Sequence, residues 1–217
     1  MNPNDLDRAQ ILACVNMPVS EGLLAEMLEE CIKELCKAAQ PRTIYRVLPV
    51  EHTKNGVRLG GLPLLGKDIA LHLSGCREAV LLGATLSASV DALIRRSSVA
   101  DMTKMIMYNG IANAAIEHVC NALEAEIKAK YPYPYYTERF SAGYGDFPLT
   151  QQGELVGLLD AARKIGLTVT PSQMLLPMKS VTAIMGMSHE PVKDARRICY
   201  AGSCEECPYH DDCKIRK

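Results

Sequence analysis

The chain of 217 residues carries a formal net charge of −1 at pH 7, from 24 Lys and Arg against 25 Asp and Glu. This near-neutral balance argues against nucleic acid or an anionic membrane surface as a partner, because both are bound mainly through clustered positive charge. The lack of Trp and the presence of only two Phe leave little material for stacking against nucleic-acid bases.

The ends and apolar stretches of the chain predict a soluble, cytoplasmic protein. Residues 1–18 place Asp, Asn and Arg between short apolar runs, without the apolar core of a signal peptide. The longest nearly apolar stretch, residues 79–90, is too short to cross a membrane as a helix. We expect one domain over residues 1–190 and a Cys-rich tail over residues 191–217, where apolar periodicity stops.

The first half of the chain predicts a helix followed by strands. Apolar residues recur at helical spacing over residues 20–40, with Ser20 as a cap and Pro41 as a stop. Residues 43–50 predict a strand, and the glycine-rich residues 57–65 predict its hairpin partner. The short apolar run at 78–86 predicts a buried strand that leads into a helix.

The second half begins with the longest helical pattern, from about residue 100 to residue 130, which the prolines within 131–134 end. A further helix is predicted around residues 155–165, with Gly166 as its C-terminal stop. Residues 179–188 alternate apolar and polar side chains, which predicts a half-buried strand. Because helices and strands mix without a βαβ repeat, the sequence predicts an α+β fold with a twisted, largely antiparallel sheet flanked by helices.

Residues 139–148, with the sequence Arg-Phe-Ser-Ala-Gly-Tyr-Gly-Asp-Phe-Pro, separate two of the predicted helices. Arg139 offers a guanidinium fork for a carboxylate, and Gly143 lets the backbone approach a ligand closely. Tyr144 adds a flat apolar face with a hydroxyl group. An ordinary surface loop has the same composition, so these residues alone leave both interpretations open.

The order of several motifs carries a family resemblance. Arg-x-x-x-Gly-Tyr at 139–144 is followed by a helix, by Ile-Gly-Leu-x-Val-Thr-Pro-Ser at 165–172 and by Pro-x-x-Ser-Val at 177–181. This order resembles the activation domain of cobalamin-dependent methionine synthase. The upstream residues 79–96 are similar to stand-alone members of that family, and the resemblance covers roughly residues 42–187.

The resemblance implies a shallow groove on the sheet that binds S-adenosylmethionine. The resemblance implies that the motif with Gly143 forms this site, that Arg139 binds the methionine carboxylate and that Tyr144 contacts the ligand. The backbone at Ser141 would hold the adenine or ribose end. Glu117 matches a family Glu on the long helix, where a carboxylate suits the ammonium or sulfonium charge. A solvated charge on the helix face is the alternative for Glu117.

Two departures from the family pattern bear on the affinity for this ligand. Met185 stands where the family has an aromatic residue in the last strand. The loop before Arg139 is shorter than in the family, so a second acidic ligand residue has no match. Glu138 is nearby but out of register.

The function implied by the resemblance is reactivation of an oxidised cobalamin. The chain would present S-adenosylmethionine to a separate corrinoid-dependent methyltransferase, or to a methionine synthase that lacks its own activation domain. That partner supplies the cobalamin, and an electron donor protein reduces it. The chemistry belongs to the two cofactors, so no general acid or base is required. The alternative function is an iron–sulfur redox protein that reduces a corrinoid partner without binding S-adenosylmethionine.

Nine cysteines fall into two populations. Five are scattered through apolar patterns, where a free thiol behaves as a small apolar group. The others crowd into the last nineteen residues, at Cys199, Cys204, Cys207 and Cys213. Four thiolates at this spacing suit one tetrahedral metal or one cubane cluster. Because reactivation of cobalamin needs an electron, we favour a [4Fe–4S] cluster, while zinc and unligated or disulfide-bonded thiols stay open.

Overall fold

The computed structural model of the chain describes residues 1–17, 22–54 and 56–192. The predicted metal ligands Cys199, Cys204, Cys207 and Cys213 lie outside the described residues. The chain forms two compact units. The described residues of unit 1 lie within Met1–Ile44, Gly83–Tyr131 and Val156–Val181, and those of unit 2 lie within Tyr45–Leu82, Pro132–Leu155 and residues 182–192.

The α-helices and strands follow in chain order. The helices are α1 (Arg8–Val15), α2 (Leu23–Ala38), α3 (Lys67–His72), α4 (Ala88–Ala100), α5 (Met102–Lys130), α6 (Gln152–Leu159) and α7 (Ala161–Ile165). The strands are β1 (Arg42–Thr53), β2 (Gly56–Leu59), β3 (Leu62–Leu64), β4 (Glu78–Thr85), β5 (Tyr135–Tyr136), β6 (Thr168–Val169), β7 (Leu175–Leu176) and β8 (Ser180–Ser188).

The long helix and its neighbours form the core of unit 1. Asp101 caps α5 by accepting a hydrogen bond from the Lys104 N–H at 3.1 Å. The helices α1, α2 and α4 pack against α5. A Cβ atom at Gly110 would lie 2.6 Å from the Val15 Cα, so only glycine lets α1 approach α5 this closely. None of the described helices is long and apolar enough to span a membrane.

The sheet has the strand order β3-β2-β1-β4-β8-β5, and β6 pairs with β7 separately. β1 runs antiparallel to β2, with Val50 opposite Leu59. Beyond one end of the β1–β4 pair the Gln40 N–H donates to Leu86 O, and near the other end the Val50 N–H donates to Arg77 O. This reversed order makes β1 and β4 antiparallel as well. The predicted α+β fold with an antiparallel sheet is confirmed.

Two sequence predictions about local structure are wrong in detail. The helix predicted around residues 155–165 is broken at Asp160, whose backbone is left-handed with a φ of 54°, although Gly166 does terminate the second part. The strand β8 is not half-buried, because residues 182–188 are all buried. Its polar side chains are hydrogen-bonded inside the protein: Gln152 donates to Thr182 Oγ1, and Ser188 Oγ donates to Gly75 O at 3.3 Å.

Candidate functional site

The predicted binding residues Arg139, Ser141, Gly143 and Tyr144 lie on one stretch of unit 2, residues 137–147, here called the recognition segment. Its first part continues β5 alongside β8. The Thr137 N–H donates to Gly186 O at 3.0 Å, and Phe140 exchanges two backbone hydrogen bonds with Ile184, at 2.9 and 2.8 Å. The segment therefore begins as an extended edge of the sheet.

The second part of the recognition segment is a closed turn. The Tyr144 N–H donates to Ser141 O at 3.1 Å, and the Phe147 N–H donates to Tyr144 O at 3.0 Å. The Gly143 N–H closes the turn on Phe147 O at 2.8 Å. Gly143 has a φ of +93°, a conformation that glycine adopts without the steric cost other residues carry. The glycine of the motif is thus required by the turn itself.

One aromatic ring of the turn is exposed to solvent and lies against a buried pair of aromatic rings. Phe140 and Phe147 are buried and stacked, with ring centroids 6.3 Å apart. Tyr144 is 56% exposed and meets the Phe140 ring edge-on at 6.0 Å. Arg139 and Ser141 are half-buried. The segment can therefore offer a ring face, a guanidinium group and backbone groups to one ligand.

The short helix α3 holds the far end of the recognition segment. The Asp146 carboxylate accepts the Lys67 N–H at 2.7 Å and the Asp68 N–H at 2.9 Å, which are otherwise unpaired at a helix start. In return the Asp146 N–H donates to the Asp68 carboxylate at 3.1 Å. The backbone N–H groups, that of Asp68 above all, hold the pKa of Asp146 below its ordinary value.

The C-terminal end of α3 holds the beginning of the segment. His72 Nε2 shares a hydrogen bond of 2.7 Å with Thr137 Oγ1, which also accepts the Gly186 N–H at 2.7 Å. The His72 ring lies 4.8 Å from that of Phe140. Burial lowers the pKa of His72 from 6.5 to about 4, so the imidazole is neutral at pH 7.

Glu117 lies on α5 in unit 1, where it is half-buried. One turn earlier on the same helix, Asn113 accepts a hydrogen bond of 2.9 Å from Lys179 Nζ. Burial lowers the pKa of Lys179, and the nearby carboxylate of Asp91 opposes that shift. Asp91 also accepts the Met178 N–H at 2.7 Å. Sequence reasoning did not single out Lys179, because a lone Lys before a strand carries no motif.

The residues named as departures from the family pattern differ in burial. Met185 is fully buried in β8, so its thioether belongs to the interior of unit 2. Glu138 is exposed. The described residues contain no group of three or more His, Cys, Asp or Glu side chains placed to hold a metal ion.

A cavity of about 470 Å³ in unit 2 was not anticipated from the sequence. Tyr133 donates a hydrogen bond to the Glu78 carboxylate, which raises the pKa of the phenol, and its ring lies 4.7 Å from that of His189. No sequence motif marks this place, because the lining comes from three separate stretches of chain. The lining residues are Gly75, Arg77, Glu78, Tyr133, Met187, Ser188, His189 and Glu190.

Gly145→Ala is expected to destabilise the protein by about 3 kcal/mol, since Gly145 has a φ of +52° and a Cβ there would lie 2.0 Å from Asp68 Oδ2. Gly157→Ala is the matched control, because a Cβ at that helical position has no atom within 4 Å apart from its chain neighbours and the backbone of its own helix. The control is expected to be neutral or stabilising by up to ~1 kcal/mol. Urea unfolding measures both, and equal free energies of unfolding for the two variants would contradict the described turn.

Comparisons with known proteins find a similar fold among solved structures. No protein-family model matches the chain, and no curated protein matches it. Among solved structures, the chain is similar to the MetH reactivation domain bound to AdoHcy, with a TM-score of 0.65 and 16% identity. The match covers 86% of this chain and 75% of that chain. At this identity the likeness establishes a shared fold.

Proposed function

We propose that the chain binds S-adenosylmethionine at the recognition segment and presents it to the cobalamin of a separate corrinoid-dependent methyltransferase. The observation that carries this proposal is the fold shared with a reactivation domain solved with AdoHcy. AdoHcy is S-adenosylmethionine after loss of its methyl group, so a site for one accommodates most of the other. The turned segment with Arg139, Gly143 and Tyr144 gives that fold a place to hold such a ligand.

The proposed roles follow from the chemistry of each group. Arg139 pairs with the methionine carboxylate through its planar fork. Tyr144, exposed above Phe140, provides a ring for the adenosyl group or the sulfonium cation. Backbone groups at Ser141 bind the ribose or adenine. For Glu117, which lies in unit 1, a role in balancing the positive charge of the ammonium group stays a prediction from the family resemblance.

The protein's own contribution is to bind and orient the methyl donor. Cobalamin held by the partner and reduced by an electron donor protein would supply the nucleophile for the sulfonium methyl group. A fixed orientation of the ligand is the main rate effect available to a protein that supplies no acid or base. A pre-formed turn at the recognition segment serves that purpose.

A reactivation assay separates this function from its alternative. A cobalamin-dependent methionine synthase truncated before its own activation domain is oxidised to the inactive state and mixed with this chain and a chemical reductant. The proposal predicts that turnover returns only when S-adenosylmethionine is added. Recovery by the chain without S-adenosylmethionine would favour the redox protein that reduces a corrinoid partner directly.

The metal site of the tail stays a prediction of the sequence. The double substitution Cys204→Ser and Cys207→Ser is expected to abolish bound iron or zinc, because two of four thiolate ligands are lost. Metal analysis of anaerobically purified protein, with the absorbance of any iron–sulfur cluster, measures this directly. Cys14→Ser is the control, since Cys14 lies in α1 at a distance in sequence from the tail. Unchanged metal content in the double variant would show that the tail does not bind the metal.

A further inference from the structure

Helix α3 contacts the recognition segment at both ends, although the two contact points lie nine residues apart along the segment. At its N-terminus, two N–H groups and one carboxylate of α3 form three hydrogen bonds with Asp146. At its C-terminus, His72 bonds to Thr137 and packs on Phe140. The predicted binding residues Arg139 to Tyr144 lie between these two points.

At the N-terminal contact, two glycine positions have no room for a side chain. A Cβ at Gly66 would lie 2.6 Å from Asp146 Oδ1, and one at Gly145 would lie 2.0 Å from Asp68 Oδ2. Both glycines have positive φ, of +112° and +52°. Two chain stretches about 80 residues apart in sequence are therefore shaped to meet through backbone and carboxylate groups alone.

The contact at the other end is dry. His72 is 2% exposed and Thr137 is 4% exposed. Thr137 Oγ1 joins three elements, since it bonds to His72 on α3 and accepts the Gly186 N–H of β8 while its own backbone belongs to the segment. A hydrogen bond inside the protein resists competition from water, so it fixes the position of the chain that follows.

We propose that α3 is a clamp that preorganises the recognition segment, and that Asp146 and His72 are positioning residues for Arg139 and Tyr144. This inference rests on the proposed function for the identity of the ligand, but not for the existence of the clamp. A segment already held in its turned form loses less conformational freedom on binding than a loose loop. Release of either end is expected to weaken ligand binding about tenfold, mainly through a less favourable entropy.

The first test needs no ligand. Hydrogen exchange is measured residue by residue on the full chain for wild type and Asp146→Asn, an isosteric change that removes one of the two acceptor oxygens. The amides of Gly143, Tyr144 and Phe147 are expected to exchange at least ~10-fold faster in the variant. The Gly60 amide, bonded to Pro49 O outside the segment, reports on the rest of unit 2 and is expected to stay unchanged.

The matched control is Asp160→Asn. Asp160 is also an aspartate with a local hydrogen-bond partner, Arg163, but it lies outside the recognition segment. Its left-handed backbone tolerates Asn. This control is expected to leave exchange at all four amides at wild-type rates. His72→Gln tests the other end of the clamp and is expected to accelerate exchange at Thr137 and Phe140.

The second test is calorimetric titration of S-adenosylmethionine into the same variants. Faster exchange in the segment together with weaker, entropically penalised binding would support the proposal. Unchanged exchange in both Asp146→Asn and His72→Gln would overturn the clamp. Faster exchange with unchanged affinity would overturn the positioning role. If wild type binds no S-adenosylmethionine but exchange responds as expected, the clamp stands and the proposed function fails.

Discussion

Replacing Arg139 with alanine is expected to weaken the binding of S-adenosylmethionine by roughly 100-fold. A hydrogen bond to a charged group contributes about 1.5–3 kcal/mol, and every 1.4 kcal/mol changes affinity tenfold. Arg139 is half-buried near the start of the recognition segment, so its interaction with a carboxylate is less screened by water than one at the open surface. Isothermal titration calorimetry measures the dissociation constant of each variant.

A conservative variant and a control variant test whether the effect of Arg139→Ala is specific. Arg139→Lys keeps the charge but loses the planar fork, so an intermediate loss is expected. Arg163→Ala removes an exposed Arg that pairs with Asp160, and it is expected to leave the affinity unchanged. If Arg139→Ala binds as tightly as wild type while the protein stays folded, the carboxylate is held elsewhere and the assignment of Arg139 is wrong.

The second large effect is a loss of stability between pH 6.5 and pH 4 that depends on His72. Burial lowers the pKa of His72 to about 4 in the folded protein, against 6.5 for the unperturbed group. Between these values the unfolded chain binds a proton that the folded chain does not, so the free energy of unfolding falls as the pH falls. The gap between these two pKa values corresponds to about 3 kcal/mol of stability.

Comparison with His72→Gln isolates this contribution. Glutamine does not titrate, so any stability that the variant loses with the bond to Thr137 is lost at every pH alike. The carboxyl groups of the chain titrate in both proteins, so their contribution to the pH dependence cancels in the comparison. Urea unfolding at intervals from pH 4 to pH 7 is expected to give a steeper dependence for wild type than for the variant. Parallel curves would show that the imidazole is not buried in its neutral form.

The sequence predicts the larger elements because their patterns are local. The stripe of apolar residues in α5 and the prolines after it fix that helix, and the short run of β-branched and apolar residues in β1 fixes that strand. Helix α3 escaped prediction because six residues are too few for a helical period, and its N-terminus is paired by Asp146 from 78 residues away. Such a contact leaves no trace in the local sequence.

The sequence predicts the motif of the candidate site, but not the distant residues that hold this motif in place. The glycine at 143 and the aromatic ring at 144 could be named from the residues and the family resemblance. The role of Asp146, the neutral His72 and the burial of Met185 depend on packing between distant stretches of chain. Polar alternation in β8 indicated a half-exposed strand, whereas Thr182 and Ser188 are satisfied by buried hydrogen bonds.

Binding of S-adenosylmethionine to the full chain is the most direct test of the proposed function. The protein is purified anaerobically and titrated by calorimetry with S-adenosylmethionine, with AdoHcy as competitor and ATP as an adenosyl ligand that lacks the methionine carboxylate. We expect saturable binding, with S-adenosylmethionine displaced by AdoHcy and not by ATP. Absence of binding at millimolar S-adenosylmethionine would contradict the proposed function and leave a shared fold without the shared ligand.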